Sequence, residues 1–105
     1  MHAPFDIILS GPITGTKDYR ARFAVAYVHA REWFRNKYGR EANVWNPAML
    51  PEGRTNEWYM KLCHKAIFDS PRCVLVQMDN WQDSKGSRSE HALCVSLGRE
   101  IAKVP

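Results

Sequence analysis

Apolar and polar positions along this chain follow two alternating periods. Residues 5–10, Phe-Asp-Ile-Ile-Leu-Ser, form a nearly continuous apolar run closed by the turn formers Gly11, Pro12 and Gly15, which predicts a buried strand. The spacing then becomes helical: Phe23, Ala26, Tyr27, Ala30, Trp33 and Phe34 recur every three or four residues. Thr16 is placed to cap that helix, and Gly39 to end it after Tyr38. Residues 42–45 read as a short second strand stopped by Asn46-Pro47, and residues 47–54 as a loop. Thr55 opens a second helix with Trp58, Leu62 and Ala66 on one face, ending before Ser70-Pro71. Residues 73–76, Cys-Val-Leu-Val, predict a third buried strand, followed by a polar loop over residues 79–86. A third helix from Ser87 ends at Gly98, and residues 101–104 make a last short strand.

Strands and helices therefore alternate throughout, which predicts a parallel sheet with helices on both faces. The expected fold class is α/β: a small flavodoxin-like or Rossmann-like three-layer sandwich around a four- or five-stranded parallel sheet. Such sheets bind ligands outside the carboxyl ends of their strands. Three segments follow strand ends and converge there: residues 10–16, 46–54 and 79–90, where Gly, Ser, Thr, Asn and Asp are concentrated.

Composition changes this picture little. The 105 residues predict one domain over residues 1–105, and 45% apolar with 25% charged residues excludes a disordered chain. No apolar run approaches the ~20 residues of a membrane span. Residues 1–15 lack the basic start and long apolar core of a signal peptide. Cys63, Cys73 and Cys94 have no paired spacing and sit among apolar neighbours, so they read as reduced core residues of a cytoplasmic protein. The net charge of +4 gathers between Lys17 and Arg40. A solvated helix face is the plain reading of Arg20, Arg22, Arg31, Arg35 and Lys37; a basic field around a phosphorylated ligand comes second and nucleic-acid binding third.

Glu90 is the candidate with chemistry. Leu93, Cys94 and Leu97 lie three, four and seven residues after it, so its carboxylate shares an apolar stripe. Ser87 and Glu90 also match a capping box, which would place the carboxylate in the first helical turn, where the backbone dipole keeps it ionised. Cap and reagent are compatible, and glycosidic chemistry uses an ionised carboxylate against a cationic sugar carbon. Residues 10–15 have the composition of an anion-facing loop or of a tight turn. Asn46 reads as a turn residue first and a ligand contact second. Trp81, beside Asp79, could stack on a base or cover the core edge. Trp58 and Tyr59 pose the same choice, with Trp58 favoured as core. Cys63-His64 and His91-x-x-Cys94 fit no standard zinc pattern, so neither metal nor cofactor is expected.

The segments LSGPITG (residues 9–15), NPA (46–48) and NWQDSKGSRSEHALCVSLG (80–98) together resemble the nucleoside 2-deoxyribosyltransferase superfamily, chiefly its small, often phage-encoded members. The resemblance covers residues 7–104 in motif order. It implies that Glu90 attacks the anomeric carbon of a nucleotide sugar, with water or a second base resolving the glycosyl-enzyme. It places Gly11, Ile13, Thr14, Gly15, Asn46, Asp79, Trp81, Ser84, Gly86 and Ser87 around the substrate. Relatives acting on free nucleosides carry an aspartate where this chain has Ser84; the related 2'-deoxynucleoside 5'-phosphate N-hydrolases carry a serine, which points to a 5'-monophosphate. His64 stands where an aspartate usually handles the proton of the leaving base, and would be the proton donor. Relatives continue beyond the position of Pro105 with a segment that helps to bind the 5' end, in some cases from the neighbouring subunit of a homodimer. The alternative from another class is a non-catalytic nucleotide-binding module of the same fold.

Overall fold

A computed structural model describes residues 2–104. The strands are β1 (Ile7–Ser10), β2 (Val44–Trp45), β3 (Val74–Gln77) and β4 (Glu100–Lys103); the helices are α1 (Tyr19–Tyr38), α2 (Asn56–Phe68) and α3 (Lys85–Leu97). Among the described residues the sheet has four strands in the order β2-β1-β3-β4, all parallel. β1 and β3 pair from Ile7 with Val74 to Ser10 with Gln77.

Both central strands are buried on both faces, which is why their sequences run apolar without alternation. Ile7 and Leu9 pack with Phe23, Ala26, Ala30 and Phe34 of α1. Ile8, one residue out of phase, points to the opposite layer with Cys63 and Ile67 of α2 and Cys94 of α3. One helix thus covers one face and two cover the other, giving the expected three layers. Strand order reverses between β1 and β3, so the crevice between their carboxyl ends is the natural ligand position.

The helix ends differ from expectation in instructive ways. Thr16 does not cap α1: its N–H closes a turn onto Ile13, and the helix starts at Tyr19 with Asp18 before it. The Asp18 carboxylate pairs with Arg22 at 3.1 Å instead of bonding backbone N–H groups. Thr55 caps α2 as expected, accepting from the Trp58 N–H at 3.1 Å. The buried face of α2 is Tyr59, Cys63, Ala66 and Ile67 rather than one led by Trp58, which is half-buried beneath the Arg54 guanidinium. α3 starts earlier than expected: Ser84, not Ser87, is its cap and accepts from the Ser87 N–H at 3.1 Å. The capping box is therefore absent, and Glu90 sits in the second turn. Gly39 and Gly98 end α1 and α3 in left-handed conformations, as their positions predicted.

Candidate active site

The last residue of β1 and the second turn of α3 meet at the carboxyl edge of the sheet. Ser10 follows Ile8 by two positions, so it faces the same helical layer. Its hydroxyl donates to Glu90 Oε1 at 2.5 Å, bridging residues eighty positions apart. The Cys63 thiol of α2 bonds the same carboxyl group. Trp45 Nε1 at the end of β2 donates in turn to Cys63 Sγ at 3.3 Å. Glu90 is thus held from β1 and α2, with Trp45 of β2 supporting Cys63 from behind. It is only 5% exposed, and no ion pair among the described residues includes it.

Burial without a cation pushes the Glu90 pKa up to about 7, against the opposing pull of the bonds from Ser10 and Cys63. The expectation of a carboxylate kept ionised by the first helical turn is corrected accordingly: Glu90 lies beyond that turn, and desolvation dominates. Near neutral pH the group is therefore divided between its neutral and its ionised form, and perturbation of this kind in a cleft marks a candidate functional residue.

Glu90 and Ser87 line a narrow cleft. Gly11, Ile13 and Thr14 after β1 also line it, as do Asn56, Tyr59 and Met60 of α2 and Ser84 and Gly86 at the start of α3. The Ser87 hydroxyl is buried and has no hydrogen-bond partner, an uncommon state for a buried polar group and one that a ligand in the cleft would relieve. Gly86 lets α3 approach α2: a Cβ there would come within 3.3 Å of Met60 Cγ and 3.4 Å of Asn56 Oδ1. At Gly11 a Cβ would fall 2.7 Å from Met78 Sδ and 3.2 Å from Met78 Cβ, so a side chain there would force Met78 to shift. The cleft holds about 30 Å³, room for a water molecule or two. A wider basin of about 530 Å³ adjoins it and shares Ile13, Thr14 and Tyr59 as its wall.

Of the substrate residues expected from sequence, Gly11, Ile13, Thr14, Ser84, Gly86 and Ser87 line the cleft with Glu90. Gly15 lines the outer basin, in a left-handed conformation at φ 79°. Asn46 does not reach the cleft; it is buried and its side chain accepts the Ala48 N–H at 3.1 Å, capping a short 3-10 turn over Pro47–Met49. Asp79 borders a separate hollow with Arg22 and His29 of α1. Trp81 is stacked on His91 at 4.7 Å, and His91 Nδ1 lies 2.8 Å from Gln77 Nε2. Neither Asp79 nor Trp81 joins the cleft, because the chain after β3 turns through a second 3-10 segment, Trp81–Asp83, before α3 begins. His64, expected as proton donor, is also off the cleft. It projects from α2 toward Ser89, with Nε2 3.1 Å from the hydroxyl, and partial burial lowers its pKa. Cys94 is fully buried in the core, and no group of three metal-binding side chains occurs among the described residues.

The sequence places Ser10 only within the loop over residues 10–15, reads Cys63 as core, and leaves Tyr59 between base stacking and core. The signal for the last two was the α2 spacing, since Tyr59 and Cys63 are four residues apart on one helix face. Ser10 reads only as the polar end of a strand until α3 is placed over it.

Fold and site together define a class: a parallel α/β domain with a buried carboxyl group at the carboxyl edge of its sheet, facing a cleft at the reversal of strand order. The chain belongs to the family described as "Domain of unknown function (DUF4406)", whose model matches residues 5–103. No curated protein and no solved structure matches it.

Proposed function

We propose that this protein cleaves the N-glycosidic bond of a nucleotide, by hydrolysis or deoxyribosyl transfer, with a 2'-deoxynucleoside 5'-monophosphate as substrate and Glu90 as nucleophile. One observation carries the reading: Glu90 is buried, without a cation, and faces the cleft beneath the crevice where sheets of this topology bind ligands. The resemblance of residues 9–15, 46–48 and 80–98 supplies the reaction class.

In this reaction a Glu90 oxygen bonds to C1' as the C1'–N bond breaks and its electron pair leaves with the base. Water, or the nitrogen of a second base, then attacks C1', loses a proton and frees the carboxylate. Only ionised Glu90 can attack, and the Ser10 and Cys63 hydrogen bonds favour that form. The unpartnered Ser87 hydroxyl offers a contact to the sugar. His64, turned to Ser89, leaves the proton of the departing base to solvent at the cleft mouth. A pentose exceeds the present cleft, so its entry displaces a wall. The unbranched Met60 side chain, which lines the cleft beside Gly86, is the wall proposed to yield. A homodimer, on the resemblance alone, and a cytoplasmic setting, on the unpaired cysteines Cys63, Cys73 and Cys94, complete the proposal.

The narrowness of the cleft favours a second reading, a nucleotide-holding module in which the ligand stays in the outer basin. Incubation with each common deoxynucleoside 5'-monophosphate, followed by chromatography for free base, separates the two. Base release that is lost in Glu90→Ala supports the enzyme. Binding of nucleotide with no release supports the module.

A further inference from the structure

The outer basin bears an uneven charge. Lys17 and Arg54 line it and form no ion pair among the described residues, although Arg54 covers the Trp58 ring at 5.3 Å. Glu52 is the acidic residue on its wall, and Arg20 already neutralises it at 3.1 Å. The basin therefore presents two uncompensated cations around a space much larger than the cleft. Ile13, Thr14 and Tyr59 belong to both walls, so a ligand whose sugar lies against Glu90 can extend along them into the basin. The Tyr59 ring is fixed for this by its hydroxyl, which donates to the Pro51 carbonyl at 2.6 Å. Ser84 is a poor phosphate grip by comparison, since its hydroxyl oxygen already accepts the Ser87 N–H at the start of α3.

We infer that the basin between Lys17 and Arg54 is an anion subsite that receives the phosphate of the nucleotide, an inference resting on the proposed function for its placement of the sugar. Lys17 supplies a point charge, and the Arg54 guanidinium, stacked on Trp58, presents paired N–H groups to the phosphate oxygens. The subsite selects nucleotides over nucleosides and weakens as salt screens it.

Calorimetric titration tests this with the four common 2'-deoxynucleoside 5'-monophosphates and their nucleosides, on the wild type, on Lys17→Ala/Arg54→Ala and on Lys37→Ala, which removes a cation remote from the basin. At least one monophosphate should bind the wild type and Lys37→Ala about tenfold or more tightly than its nucleoside, one charge-assisted contact being worth roughly that factor. The double substitution should remove this advantage and leave nucleoside binding unchanged. Equal affinity for the two ligand classes, an advantage that survives the double substitution, or no binding by any monophosphate overturns the subsite. Free base measured in the same samples keeps the two ideas separate. A phosphate advantage without base release retains the subsite and removes the glycosidase, whereas equal release from nucleosides and monophosphates does the reverse.

Discussion

Taking a glutamate out of water disfavours its charged form, and in this protein only two hydrogen bonds oppose the effect, from the Ser10 hydroxyl and the Cys63 thiol. The result is a carboxyl group that titrates near 7 rather than at its ordinary 4.5. Between those two values the unfolded chain has released the proton while the folded protein still holds it. Folding then takes up a proton, and stability falls as pH rises across that window. Below 4.5 both states are protonated and Glu90 contributes nothing to the pH dependence. A rise of this size corresponds to a destabilisation on the order of 3 kcal/mol above pH 7. Glu90→Gln keeps the shape and an acceptor for Ser10 but cannot ionise. It should therefore melt at a higher temperature than wild type at pH 8 and at nearly the same temperature at pH 4, as circular dichroism will show. Equal melting at both pH values would mean that the carboxyl group is not desolvated. A gain in stability alongside complete loss of base release is the pattern of a strained functional residue.

At the scale of elements, the start of α3 decides which serines remain free for a ligand. Ser87 is the cap that the sequence offers, since the pattern from Ser87 to Glu90 suits a capping box. The structure selects Ser84: α3 begins at Lys85, ahead of the capping-box position, while its packing holds Glu90 over Ser10 and Cys94 in the core. That choice leaves Ser87 buried, with its hydroxyl unpaired beside Glu90. Replacing Ser84 by Ala should destabilise the protein by about 1 kcal/mol, the usual consequence of losing an N-cap. Ser87→Ala should instead be neutral or slightly stabilising, since it removes a buried hydroxyl that bonds nothing. Urea unfolding of the two variants measures both. Losses of similar size would contradict the assignment of Ser84 as the cap.

Across the whole molecule, the layered α/β architecture is legible in the sequence because parallel strands buried on both faces appear as short unbroken apolar runs. Ile7-Ile8-Leu9 and Val74-Leu75-Val76 show this plainly. Helix identity and the glycine stops at Gly39 and Gly98 are legible for equally local reasons. Glu90 stands out because a charged residue on an apolar stripe is anomalous wherever the helix packs. What surrounds it is not local. Ser10, Cys63 and Trp45 come from three other elements and acquire meaning only once the sheet order sets them beside α3. The same folding separates Asp79 and Trp81 from the cleft although they follow β3 directly. The proposed reaction requires the cleft to widen from its present volume, and a covalent trap records that event and the reacting atom together. A 2-fluoro-2-deoxy-sugar nucleotide slows breakdown of a glycosyl-enzyme more than it prevents its formation. Intact-mass analysis after incubation should show one added glycosyl group, mapped by peptide sequencing to Glu90 and absent in Glu90→Gln. An unmodified protein under conditions where the natural nucleotide is cleaved, or an adduct on any other residue, would contradict Glu90 as the nucleophile.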